Sequence, residues 1–169
     1  QQFPPDILKC IRLYSLLNEL SPTHILELGC GTSSLIINSY IGTQASNNCS
    51  ALTLDIDSSW LDLTYSKIQK SKVLFNESHE FIAYKDDVST VADIKSFLAG
   101  SDSLFLFLDA VVFPNDPYQG LSTILAISEF LPARTHILID SRGVAQRNLY
   151  KLAQALNCSI DVITSVIST

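Results

Sequence analysis

Five carboxylates fall at or just past the ends of short apolar runs. They are Glu27 in residues 24–28, Asp55 after 51–54, Asp87 after 81–84, Asp109 after 104–108 and Asp140 after 135–139. Stability is a poor reason to line acids along one edge, because uncompensated carboxylates repel one another. Their chemistry is that of binding a cation, gripping a diol, taking a proton or holding a divalent ion. The densest segment is His24-Ile25-Leu26-Glu27-Leu28-Gly29-Cys30-Gly31-Thr32-Ser33-Ser34. Gly29 and Gly31 permit a sharp turn and the close approach of a ligand to the backbone. A dinucleotide fingerprint would carry a third glycine where Ser34 stands. It would also set a pyrophosphate at the next helix start, beside a Glu27 charge that repels it. A ligand with a positive centre and no phosphate suits this acidic turn better.

The elements that must position these acids alternate between helix and strand. Apolar residues in 7–20 recur as a helical stripe that ends at Ser21-Pro22. Residues 24–28 form strand one, and 32–40 resume as a helix with Ser or Thr near its start. Strand two covers 51–54 and closes at Asp55. The helix carrying Trp60, Leu61, Leu63 and Ile68 is capped by Ser58 or Ser59. Strand three covers 81–84, and a helix over 89–98 ends at Gly100. Strand four covers 104–108, a helix over 120–131 stops at Pro132, and strand five covers 135–139. A helix over 144–156 and a sixth strand over 160–167 complete the series. Short apolar strands separated by helices predict an α/β, doubly wound, mostly parallel sheet in a three-layer α/β/α arrangement. No repeat or linker interrupts it, so residues 1–169 read as a single domain. Ligands of such sheets bind beyond the carboxyl ends of the strands, near the switch point.

Composition narrows the partners. The 169 residues are 47% hydrophobic and 17% charged, which predicts a packed core rather than disorder. A net charge of −6 argues against a broad nucleic-acid surface, since neutralising phosphates takes clustered Lys and Arg. Lys67, Lys70 and Lys72 are the one basic cluster, and a solvated helix end accounts for them. Cys10, Cys30, Cys49 and Cys158 show no metal-binding spacing, and with no secretory leader they read as reduced thiols of a cytoplasmic protein. The longest apolar stretch, 104–108, is too short for a bilayer. The expected partner is a small molecule, not nucleic acid or membrane, and a homodimer is left open.

Glu27-Leu28-Gly29-Cys30-Gly31 resembles the first motif of the class I S-adenosylmethionine-dependent methyltransferases, an acid-x-Gly-x-Gly turn. The resemblance implies a Rossmann-like domain in which Glu27, Gly29, Cys30 and Gly31 line the methionine end of S-adenosyl-L-methionine. Thr53-Leu54-Asp55-Ile56-Asp57-Ser58-Ser59-Trp60 is similar to the second motif. It implies that Asp55 takes both ribose hydroxyls and Ile56 packs on adenine; capping of the next helix is the competing role for Asp55. Asp87, with Asp86 as alternative, resembles the acid that accepts the adenine amino group, and an acid stabilised at a helix start is the competing role. The likeness runs from strand one through strand six, and the family's usual last, antiparallel strand is not visible.

Leu108-Asp109-Ala110 and Ile139-Asp140-Ser141 loosely resemble the metal positions of the metal-dependent O-methyltransferases. Neighbouring parallel strands lie about 4.8 Å apart, so Asp109 and Asp140 could share one Mg2+. Ser141 and Val111-Val112 depart from that pattern, and two alternatives stand: a metal-free role in which Asp109 or Asp140 touches the cofactor amine or the acceptor, and a plain strand-end acid. The implied function is methyl transfer to a small-molecule acceptor, at oxygen, with Asp109 and Asp140 as the catalytic candidates. An NAD(P)-dependent oxidoreductase domain and a non-catalytic methyltransferase-like binding module are the competing readings. Arg142 is better accounted for by a structural salt bridge than by steering an anionic acceptor, and Tyr118 or Asp116 could contact the acceptor. His24 and His136 read as core or strand-edge residues, and His79 as a solvent-facing residue ahead of strand three.

Overall fold

Strand residues of alternating parity feed two separate cores. In β1 (His24–Leu28), Ile25 joins Leu13 and Leu17 of α1 (Ile7–Leu20) and Ile37, Tyr40 and Ile41 of α2 (Thr32–Thr43). Leu26 and Leu28 point the other way, into a cluster with Ile94 and Leu98 of α4 (Asp87–Leu98) and Leu121 and Ile124 of α5 (Leu121–Ala126). This period of two in the strands, set against i, i+4 pairs such as Leu13 and Leu17, makes a sheet covered on both faces. The computed structural model describes residues 7–44, 49–71, 76–110, 112–116, 120–140, 148, 151–155 and 157.

The remaining strands are β2 (Ser50–Asp55), β3 (His79–Ala83), β4 (Ser103–Leu108) and β5 (Arg134–Ile139). The order is β3-β2-β1-β4-β5, with every neighbouring pair parallel. All six residues of β4, Ser103 and the apolar run after it, are buried, as an interior strand of a sheet covered on both faces must be. After β3 the chain crosses back to lay β4 beside β1. The ends of β1 and β4 therefore form the switch point, where a crevice opens. The α/β doubly wound expectation holds.

Several boundaries differ from the sequence reading. Helix α3 (Ser58–Lys70) is capped by Asp57, which accepts from the Ser59 and Trp60 amides, so neither Ser58 nor Ser59 is its cap. Helix α4 starts at Asp87 under Asp86, which accepts from the Ser89 amide and hydroxyl. The helix expected over 120–131 is α5 followed by a 3-10 turn at Ser128–Phe130. Residues 148 and 151–155 are helical, and Leu152 joins the α4–α5 core. Strand six lies outside the described residues. Among those described, no helix is long and apolar enough to cross a membrane.

Candidate functional site

The two glycines of the turn do different work. Gly29 has φ +95°, and a Cβ there would stand 2.7 Å from the Ala110 amide nitrogen. Only glycine fits both the left-handed backbone and the close pass of the β4 end. That pass is hydrogen-bonded: the Asp109 and Ala110 amides both donate to the Leu28 carbonyl, at 2.9 and 3.0 Å, and the Gly29 amide donates to Leu54 at 2.7 Å. Gly31 is different. A Cβ there would meet nothing within 4 Å, so the backbone is open to a ligand at this residue.

Asp55 closes β2 and turns toward that loop. Its Oδ2 accepts from the Cys30 amide at 2.8 Å and its Oδ1 from the Asp57 amide at 2.9 Å. Asp57, not Asp55, caps α3. Each Asp55 oxygen keeps a second lone pair for an incoming hydroxyl. The next residue, Ile56, is 45% exposed beside it. Helix α3 is tied to the same turn by the Trp60 indole, which donates to the Cys30 carbonyl at 2.9 Å. The Cys30 thiol is buried, and burial pushes it up to about 12, so it is a packing group and not a nucleophile.

Glu27 lies beneath the turn with no exposed surface. Its Oε2 accepts from the Ser34 and Thr53 hydroxyls, each at 2.7 Å. Its Oε1 has no partner among the described residues. Burial pushes the carboxyl up to about 7, and the charge of Asp109 adds in the same direction against the hydroxyl bonds. Ser34 also accepts the Gly31 amide at 3.0 Å, so the residue that replaces a third glycine links Glu27 to the open part of the turn.

The other acids are spread along the edge. Asp87 is exposed and accepts the Tyr84 hydroxyl at 2.7 Å, while Asp86 is occupied as a cap. Asp109 is half-buried at the end of β4. Asp140 follows β5 and is bridged by Lys9 of α1, at 2.9 and 3.2 Å from its two oxygens. No group of three or more His, Cys, Asp or Glu suited to a metal ion occurs among the described residues. Lys9 already gives Asp140 the positive charge that a metal would supply, so Asp109 and Asp140 do not fit as a ready Mg2+ pair. Asp116 accepts from Gly120, from the Ser122 amide and from the Ser122 hydroxyl, which makes it the organiser of the α5 start. Val111, Tyr118, Ser141 and Arg142 lie outside the described residues.

The sequence leads one to expect a solvent-facing His79. It is instead the first residue of β3 and 3% exposed, with Nε2 2.8 Å from the Thr53 hydroxyl and its ring on Phe81. Thr53 stands opposite Glu27 in the sheet register, so the sheet alone brings His79 to this pair. His24 is half-buried and edge-on to Phe97, as a strand-edge residue, and His136 is exposed.

No protein-family model matches the chain, and no curated protein matches its sequence. Solved structures do match in fold. The methyltransferase PaMTH1 of Podospora anserina, bound to S-adenosyl-homocysteine, superposes with TM-score 0.59 at 17% identity, over 91% of this chain and 68% of that one. A protein from Staphylococcus aureus described as a caffeoyl-CoA O-methyltransferase gives 0.58 at 15% identity, over 92% and 73%. A Plasmodium falciparum protein described as a protein-L-isoaspartate O-methyltransferase, also with S-adenosyl-L-homocysteine, gives 0.53 at 15% identity, over 83% of this chain and 63% of its own length. The chain thus has the Rossmann-like fold of the class I methyltransferases.

Proposed function

We propose that this chain is an S-adenosyl-L-methionine-dependent methyltransferase domain acting on a small molecule. The observation that carries the reading is the Asp55 carboxylate, turned onto the Cys30 amide next to a Gly31 backbone open to a ligand. In this reading Asp55 holds the ribose diol, Ile56 covers one face of adenine, and Asp87 lies near its amino group. Glu27 supplies negative charge from beneath the turn to a cationic methionine end, and Asp109 adds to it. Bound S-adenosyl-L-methionine supplies an activated methyl group, so the chain has only to align the acceptor and take its proton where needed. In this reading Asp109 and Asp140, at the ends of adjacent strands, take that proton, and Lys9 bonds Asp140. Oxygen is the favoured acceptor atom, because a hydroxyl needs the base that these carboxylates offer.

A dinucleotide is disfavoured by the buried Glu27 and by Ser34 in place of glycine. The test is release of S-adenosyl-homocysteine during incubation with S-adenosyl-L-methionine and a panel of phenols, catechols, carboxylic acids and amines. Turnover on a hydroxyl acceptor supports the assignment. Tight cofactor binding with no turnover across the panel points to the non-catalytic module instead.

A further inference from the structure

The most deeply buried acid of the site has no positive partner. Glu27 has no exposed surface, and no lysine, arginine or histidine ion-pairs with it among the described residues. Each element packed around it offers a neutral group or a second acid. Helix α2 brings the Ser33 and Ser34 hydroxyls, and β2 brings the Thr53 hydroxyl. Strand β3 brings His79, which reaches Glu27 only through Thr53 and which burial lowers to about 3, so it stays neutral. The turn brings the Cys30 thiol, which burial keeps protonated, and Asp55 and Asp109 stand at the ends of β2 and β4. A charge on Glu27 is thus without a counterion, and its Oε1 lacks a hydrogen bond among the described residues. Three hydroxyls favour that charge, while burial and Asp109 oppose it, which leaves the carboxyl at about 7. One line of bonds joins it to the part of the turn open to a ligand. The Gly31 amide donates to the Ser34 hydroxyl, which donates to Glu27 Oε2.

From this geometry we propose that Glu27 is a proton-linked charge switch for the cofactor: it holds a proton in the free chain and gives that proton up to solvent when a cationic ligand settles over the turn at Gly31. The inference rests on the S-adenosyl-L-methionine reading above and states how that site is regulated. A positive centre over the turn is the missing counterion, and attraction between charges is strong where water is scarce. The O–H bond of Glu27 breaks, its proton passes to water, and no electron changes hands. The ligand's charge sets the balance. S-adenosyl-L-methionine carries a sulfonium and an ammonium, whereas S-adenosyl-homocysteine keeps only the ammonium. Methyl transfer therefore removes part of the attraction that holds the carboxylate charged, and Glu27 recovers a proton. The preference for fresh over spent cofactor then grows as pH rises through neutrality.

Calorimetric titration with S-adenosyl-L-methionine, in buffers of different ionisation enthalpy, counts the protons exchanged on binding. Taking the parent chain minus Glu27→Gln cancels the titration of the ligand's own amine. The expected difference is release of close to one proton at about pH 6 and little at about pH 8, with the parent's relative affinity rising about tenfold between them. S-adenosyl-homocysteine should release fewer protons and gain less affinity over the same range. A second readout needs no variant. The carboxyl carbon resonance of Glu27 in the isotope-labelled parent should titrate at about pH 7 in the free chain, and at lower pH once S-adenosyl-L-methionine saturates it. A Glu27 carboxyl already charged at about pH 6 in the free chain overturns the proposal. Cofactor binding that leaves its titration unmoved does the same, and both outcomes leave the methyltransferase reading standing. A folded chain that binds S-adenosyl-L-methionine at no pH overturns the reading and the proposal together.

Discussion

Asp55 is held by two amide donors, and its orientation is therefore set before any ligand arrives. Asp55→Asn keeps one oxygen for the Cys30 amide but loses the charge that strengthens a bond to a diol. The variant should fold and bind S-adenosyl-homocysteine at least about tenfold more weakly, a loss near 1.4 kcal/mol. Calorimetric titration beside the parent chain checks it. Glu27 makes a second prediction, through pH. Its folded value near 7 lies above its ordinary 4.5, so the folded state holds a proton that the unfolded state has lost. The stability that proton confers is complete below about pH 4.5 and disappears as pH rises through 7, with a span of about 3 kcal/mol. Thermal melts should fall across that window in the parent and stay flatter in Glu27→Gln. A parent and variant that fall in parallel would show that Glu27 is not the group responsible.

At the scale of the element, the turn after β1 separates structure from ligand. Gly29→Ala forces a Cβ against Ala110 at a positive φ, and should cost about 1–3 kcal/mol of stability. Gly31→Ala meets no neighbour, so it should leave the melting temperature nearly unchanged and weaken cofactor binding. Chemical denaturation paired with titration distinguishes the two. Much of this was legible in the sequence. The strands showed themselves by apolar runs ending in acids, and the glycine turn by Glu27, Gly29 and Gly31. The helix starts were less legible, because Asp57 and Asp86 compete with nearby serines and aspartates that can cap equally well. His79 was misread because a histidine at a strand's first residue carries no burial signal of its own. Its place depends on Thr53 and Phe81, which only the sheet brings near. Asp140 read as a metal or catalytic acid, and nothing local to it announced Lys9, 131 residues away.

At the scale of the whole molecule, the sheet order gathers groups from β1, β2 and β4 at one crevice. A ligand that binds only the folded chain stabilises it by mass action, by about 2.7 kcal/mol at a hundredfold excess over its Kd. S-adenosyl-homocysteine should therefore raise the melting temperature of the parent chain and raise that of Asp55→Asn less. The most direct measurement is calorimetric titration of the folded chain with S-adenosyl-L-methionine and, separately, NADH. The account predicts one saturable site for the sulfonium compound and no heat from the dinucleotide. A folded chain that ignores S-adenosyl-L-methionine at millimolar concentration, or that binds NADH in its place, would contradict it.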